Sequence, residues 1–132
     1  MALCYKIKLM KTVLLVEDDK FLSTLLKNRL EKEGLSVVHA VDGEEAINIL
    51  RTIPSKPSLV LLDIILPKKN GFEVLEEIKQ DLELKALPII IISNLGQDDD
   101  LSRGKGLGAL QYYVKAQTSI DDLISKIKSF TG

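Results

Sequence analysis

Short apolar runs alternate with helical segments between residues 12 and 127, and this alternation constrains the fold more than any other feature of the sequence. Each run holds four to six residues, a length that suits a strand and is short for a core helix. The apolar residues mostly stand at consecutive positions, which is typical of strands buried on both faces. The five runs are Thr12–Val16, Leu35–Ala40, Leu59–Leu62, Ile89–Ile92 and Leu110–Val114.

Apolar residues at helical spacing follow every run. Phe21 begins the apolar stripe of the first predicted helix, and Gly34 ends that helix. Asp19 and Asp42 are predicted to cap the first and second helices, and Gly71 opens the third. The helical segments contain Phe21–Leu30, Ala46–Leu50, Phe72–Ile78, Leu101–Leu107 and Ile120–Ile127.

A strand–helix unit repeated five times predicts the α/β class. Buried strands joined by helices form a parallel sheet that is covered on both faces, and the connections are right-handed. We therefore predict a flavodoxin-like, doubly wound, five-stranded parallel sheet of order 2-1-3-4-5. In such a fold, functional residues gather at the carboxyl ends of the strands.

Composition excludes several classes of protein. Lys and Arg number 18 against 19 Asp and Glu, so the strongly basic balance of a nucleic-acid-binding domain is missing. The sequence has neither a long apolar span nor a signal peptide, so we expect no membrane partner and a cytoplasmic location. Cys4 is the only cysteine and is interpreted as incidental.

The predicted domain covers residues 11–132, and residues 1–10 form an N-terminal extension. Alternating apolar residues within 1–10 leave two alternatives open, a loosely held extension and an added edge strand. The chain ends soon after the last predicted helix, so we expect a domain that stands alone.

Polar residues follow four of the predicted strands. Glu17, Asp18 and Asp19 follow the first strand, Asp63 the third, Ser93 the fourth and Lys115 the fifth. These strands are neighbours in the predicted order, so the side chains should converge. Clustered carboxylates repel one another unless they bind a cation, and oxygen ligands suit Mg²⁺. A carboxylate beside a metal ion, a lysine and a hydroxyl can accept a phosphoryl group.

Four segments carry a resemblance to a known family. VLLVEDD, LVLLDIILPKKNG, IIIISN and GALQYYVK stand in order at the predicted strand ends. Asp63 lies 30 positions before Ser93, and Ser93 lies 22 positions before Lys115. Over residues 11–130 the chain resembles the receiver domains of response regulators in bacterial two-component signalling.

The resemblance implies a role for each residue of the phosphorylation site. Asp63 would be the phosphoacceptor and a metal ligand, and Lys115 would pair with the phosphate. Asp18 would bind Mg²⁺ directly and Glu17 through water, with the backbone carbonyl of Ile65 as the third protein ligand. Pro67 and Gly71 would shape the loop after the phosphoacceptor.

The resemblance also implies a switch and its partners. Ser93 would be the switch hydroxyl, and Tyr112 the switch aromatic residue that turns inward. A sensor histidine kinase or a histidine phosphotransfer protein would be the donor. The fourth helix, fifth strand and fifth helix would form the surface that contacts a downstream protein, and a phosphorylation-dependent dimer could use the same surface. The chain would not be an enzyme, although it would assist its own phosphorylation and dephosphorylation.

Several positions depart from the usual pattern of the family. Ala116 replaces the usual proline after Lys115, so we predict a trans peptide bond there. Asn94 replaces a small residue and is expected to crowd the path to the site. Gly104 and Gly106 should weaken the fourth helix by about 1 kcal/mol each relative to Ala.

A further expectation concerns the lifetime of the phosphorylated state. In receivers, the side chains two positions beyond the phosphoacceptor and the switch hydroxyl flank the approach of water. These are Ile65 and Leu95 here, and neither can orient a water molecule. The resemblance therefore implies a long-lived phosphorylated state.

The sequence disfavours three other functions. A degenerate receiver without phosphorylation is disfavoured by the intact acids and Lys115. An aspartyl-phosphate phosphatase needs a second acid two residues beyond the nucleophile, where this chain has Ile65. A flavin-binding module would need a phosphate-cradling loop after the first strand. We interpret His39 and Tyr113 as structural and the Asp98–Asp100 run as the start of a helix.

Overall fold

Five parallel strands form one sheet in the computed structural model, which describes residues 11–131. They are β1 (Thr12–Val16), β2 (Ser36–Ala40), β3 (Leu59–Leu62), β4 (Ile89–Ser93) and β5 (Gln111–Val114). Their order is β2-β1-β3-β4-β5, as predicted. The two alternatives for residues 1–10 lie outside the described residues.

Each strand is followed by a helix, and the predicted caps are confirmed. Asp19 accepts a hydrogen bond from the Leu22 amide at 3.0 Å, and Asp42 accepts one from the Glu45 amide at 2.8 Å. Gly34, at φ 86°, follows the end of the first helix. The helices are α1 (Lys20–Lys32), α2 (Gly43–Thr52), α3 (Gly71–Gln80), α4 (Asp98–Gly106) and α5 (Ile120–Thr131).

The helices cover both faces of the sheet. Successive strand residues point to opposite sides, so the buried strands supply apolar side chains to both faces. On one face, Leu14, Leu62 and Ile91 belong to an apolar cluster with α2, α3, Leu101 of α4 and the residues flanking α4. On the other face, Leu15 and Leu61 pack with α1 and α5. This arrangement confirms the doubly wound fold.

Phe21 departs from its predicted place in the core. Its side chain is 82% exposed, whereas Leu26 and Leu30 are buried. The buried stripe of α1 runs along positions four residues apart, and Phe21 lies to one side of it. None of the helices within residues 11–131 combines the length and the apolar character that crossing a membrane requires.

The backbone after β5 agrees with the prediction for Ala116. No peptide bond within the described residues is cis, so the Lys115–Ala116 bond is trans. A short 3-10 helix, Lys115–Gln117, continues directly from β5. Tyr113 packs against the cluster on the α1 and α5 side, as a structural residue would.

Candidate functional site

The carboxyl ends of β1, β3 and β5 open into a pocket of about 370 Å³. The loops after these strands bring together acids that are far apart in sequence, and Lys115 joins them. The loop after β4 completes the wall. The lining residues are Glu17, Asp18, Asp19, Asp63, Ile65, Asn94 and Lys115.

Asp63 lies on the floor of this pocket with 4% of its surface exposed. Its Oδ1 accepts hydrogen bonds from the amides of Ile64 at 2.7 Å and Ile65 at 3.3 Å. Its Oδ2 accepts one from Lys115 Nζ at 2.8 Å. A Cβ at Gly71 would lie 2.2 Å from the Asp63 carbonyl oxygen, so only glycine lets α3 begin this close to the carboxylate.

Glu17 is the second buried carboxylate of the site, with 2% of its surface exposed. Its Oε1 lies 2.8 Å from Lys115 Nζ, and its Oε2 accepts a hydrogen bond from the Asp19 amide at 3.0 Å. The pKa of Glu17 is raised to about 7, because burial and the nearby charge of Asp63 together outweigh the lowering effect of Lys115 and of the Asp19 amide. His39 Nε2 donates to the Glu17 carbonyl at 2.7 Å and fixes the backbone there.

Among residues 11–131, Lys115 is the one cation that lines the pocket. Burial by itself lowers the pKa of its ammonium group, but hydrogen bonds to Asp63 and Glu17 outweigh burial and raise that pKa. The ammonium group therefore stays charged. One positive charge faces two buried carboxylates and the exposed Asp18, so the pocket has a negative excess.

The donor set of the pocket fits a hard divalent cation. Glu17, Asp18 and Asp63 each offer one carboxylate oxygen, and these oxygens lie within 4.8 Å of one another. Oxygen ligands, negative charge and an open side that admits water are what Mg²⁺ requires. Ile65 lines the same pocket, and its backbone amide lies 3.3 Å from Asp63 Oδ1.

Ser93 and Tyr112 lie behind the pocket and do not line it. Ser93 is fully buried, and its Oγ accepts a hydrogen bond from the Leu95 amide at 3.3 Å. The Tyr112 hydroxyl donates to the Leu95 carbonyl at 2.6 Å, and only 7% of Tyr112 is exposed. The two predicted switch residues are therefore connected through the backbone of Leu95.

Leu95 differs from its expected position relative to the pocket, whereas Asn94 lies at the entrance, as expected. Leu95 is half-buried against the apolar cluster and is not among the pocket-lining residues, because both of its backbone groups are bonded from the interior side. The exposed Asn94 lines the mouth instead. The sequence places both next to Ser93, but it does not determine which of the two faces the site.

The sequence and the fold of this chain are similar to those of known proteins. The family model described as "Response regulator receiver domain" matches residues 13–128. The "Uncharacterized transcriptional regulatory protein YcbL" of Bacillus subtilis is 40% identical over 116 residues, covering 88% of this chain and 49% of that protein. The chain thus spans about half the length of that curated relative.

Two solved structures are also similar. The phosphorylated cyanobacterial phytochrome response regulator RcpA matches with a TM-score of 0.80 and 35% identity, covering 91% of this chain and 90% of that one. The Mn²⁺-bound form of response regulator Rcp1 matches with a TM-score of 0.81 and 33% identity, covering 91% of this chain and 93% of that one.

Proposed function

This chain belongs to the response regulator receiver domain family, and we propose that it is a signalling switch whose Asp63 accepts a phosphoryl group. Receiver domains are switches that interact with histidine kinases and downstream effectors. The observation that carries the proposal is the buried Asp63 carboxylate, held by Lys115 on the floor of an open acidic pocket. We propose that the domain extends over residues 11–132, preceded by an extension of residues 1–10.

The proposed donor is a phosphohistidine on a sensor histidine kinase or a histidine phosphotransfer protein. A carboxylate oxygen of Asp63 attacks the phosphorus from the pocket floor, and the phosphorus–nitrogen bond breaks. The bonding electron pair stays on the imidazole nitrogen, which then takes a proton from solvent. Lys115 moves from its contact with Glu17 to a phosphoryl oxygen and neutralises part of its charge.

Glu17, Asp18, Asp63 and the Ile65 carbonyl are proposed to hold Mg²⁺, Asp18 directly and Glu17 through water. When bound, the ion neutralises the acids and stabilises the charge on the phosphoryl oxygens during transfer. The cluster of carboxylate oxygens within 4.8 Å supports this assignment.

The switch is proposed to run from Ser93 to Tyr112 through Leu95. When the Ser93 hydroxyl turns toward the phosphoryl group, it gives up its hydrogen bond with the Leu95 amide. Leu95 then shifts, and its carbonyl carries the bonded Tyr112 hydroxyl with it. Tyr112 is already buried here, so the expected inward turn is replaced by a change in this hydrogen bond.

Tyr112 lies on β5 and packs beneath α4, so a shift there changes the surface formed by α4, β5 and α5. We propose that this surface contacts a downstream protein rather than nucleic acid or membrane. Phosphorylation-dependent pairing of two copies is proposed to use the same surface.

Site mapping after chemical phosphorylation tests the proposal. Incubation with acetyl phosphate and Mg²⁺ should add one phosphate to the wild type and none to Asp63→Asn. Asp99→Asn, an exposed acid on α4, is the matched control and should be labelled like the wild type. Equal labelling of Asp63→Asn would contradict the assignment, as would a wild type that takes up no phosphate.

A further inference from the structure

The mouth of the phosphorylation pocket contains one neutral polar side chain. Of the seven lining residues, five are charged, Ile65 is apolar and Asn94 carries an amide. Glu17 and Asp63 form the floor with 2% and 4% of their surfaces exposed, whereas Ile65 is 55% exposed and Asn94 is also exposed. Asn94 and Ile65 therefore stand where the pocket meets solvent.

Water that hydrolyses a phosphoryl group on Asp63 must approach through this mouth. The group projects from the floor toward solvent, and in-line attack comes from the side opposite the Asp63 oxygen. Ile65 cannot hydrogen-bond to that water. The exposed acids Asp18 and Asp19 have other roles, since Asp18 is assigned to the metal and Asp19 caps α1. Asn94 remains uncommitted, and its amide offers two donors and one acceptor.

Resting on the proposed function, we propose that Asn94 is a positioning residue that orients the hydrolytic water and so shortens the lifetime of the phosphorylated state. The water oxygen forms a bond to phosphorus while the bond from phosphorus to the Asp63 oxygen breaks, and its electron pair returns to the carboxylate. An amide cannot take up a proton at neutral pH, so both water protons stay on the released dihydrogen phosphate before it ionises in solvent.

Decay of the phosphorylated protein tests this role. Wild type and variants are labelled with acetyl phosphate and Mg²⁺, the donor is removed, and the remaining phosphate is followed by intact mass. Asn94→Leu keeps the bulk of the side chain without its amide, and Asn94→Ala removes both. Each should lose phosphate roughly three- to tenfold more slowly than wild type, the effect expected of one lost hydrogen bond.

Two further variants separate orientation from other effects. Asn94→Ser retains a hydrogen-bonding group and should decay faster than Asn94→Leu. Asn48→Leu makes the same change at an exposed position of α2 outside this pocket, and it should decay at the wild-type rate.

The outcomes distinguish this inference from the proposed function. If Asn94 merely narrows the mouth, Asn94→Ala decays faster than wild type and Asn94→Leu does not change, which overturns the role in orientation. If the wild type is labelled at Asp63 and phosphorylated Asn94→Leu loses its phosphate at the wild-type rate, only this inference fails. A wild type that takes up no phosphate overturns both.

Discussion

At the scale of the residue, Lys115 supplies the positive charge that balances the buried acids of the site. Its ammonium group lies 2.8 Å from a carboxylate oxygen of both Glu17 and Asp63, and only 17% of its side chain is exposed. Removing one partner of a buried ionic cluster leaves uncompensated charge, which costs far more than the loss of a surface ion pair. The same lysine therefore stabilises the fold, and it is the residue that we propose pairs with the phosphoryl group.

Lys115→Ala should lower the free energy of unfolding by about 2–3 kcal/mol in metal-free buffer. Saturating Mg²⁺ should restore part of that loss, because the ion supplies the missing positive charge and binds only the folded state. Urea denaturation with and without Mg²⁺ measures both effects. Lys105→Ala, at an exposed position of α4, is the control. A Lys115→Ala loss no larger than that of the control would show that the acids need no cation.

The site residues differ in how well their positions could be predicted from the sequence, and the residues around Ser93 show the difference. Glu17, Asp63 and Lys115 could be located because each follows a buried apolar run, and the topology then brings them together. Leu95 could not be oriented, because its direction depends on hydrogen bonds from Ser93 and Tyr112 that form only in the folded chain.

At the scale of the element, α4 has the least apolar packing of the five helices. Gly104 is its only buried residue, and the remaining contacts include Arg103 stacked 4.2 Å from the centroid of the Phe72 ring. A Cβ on Gly104 would lie 2.8 Å from Ile91 Cδ1 and 2.9 Å from Tyr112 Cδ2. Gly104, which helix propensity disfavours, is therefore the residue that lets α4 approach Tyr112 closely.

Gly104→Ala and Gly106→Ala should change stability in opposite directions. Alanine favours a helix over glycine by about 1 kcal/mol. At Gly106 nothing lies within 4 Å of the added Cβ, so that variant should gain up to this amount. At Gly104 the overpacking cost of about 1–3 kcal/mol exceeds the gain, so that variant should be destabilised. Denaturation midpoints of the two variants decide the matter, and equal stabilisation of both would contradict the close approach of α4.

Over the whole molecule, the fold could be predicted because β1, β3 and β4 are almost wholly apolar and every connection is long enough for a helix. The burial of Phe21 was predicted wrongly, because the apolar side chains of α1 cover a wider part of the helix surface than the part that packs on the sheet. The close packing at Gly104 could not be predicted either, because helix propensity contains no information about the neighbouring strand.

The stability of the whole domain should fall as pH rises, and Mg²⁺ should remove that dependence. Burial raises the pKa of Glu17 from 4.5 to about 7 in the folded, metal-free protein. Between these values the folded state binds more protons than the unfolded state, so stability falls as pH rises, by up to about 3 kcal/mol. With saturating Mg²⁺ this fall should disappear, because the metal holds the Glu17 carboxylate ionised in the folded state and the unfolded carboxylate is ionised over the same range.

Thermal or urea unfolding across pH 5 to 8 measures this dependence. Glu17→Gln has no proton to lose at this position, so its metal-free stability should be flatter over the same range. A wild-type protein that becomes more stable with rising pH in the absence of metal would contradict the burial of an ionisable Glu17.

The thin packing of α4 has a consequence for how the molecule fluctuates. A helix with one buried residue contributes little to the cooperative core, so it can detach and reform while the sheet stays intact. The backbone amides of α4 should exchange with solvent deuterium through such partial openings. Those of the buried strands β3 and β4 should exchange only when the whole domain unfolds. We therefore expect local opening to be easiest beside Tyr112, at the helix through which the proposed switch would act.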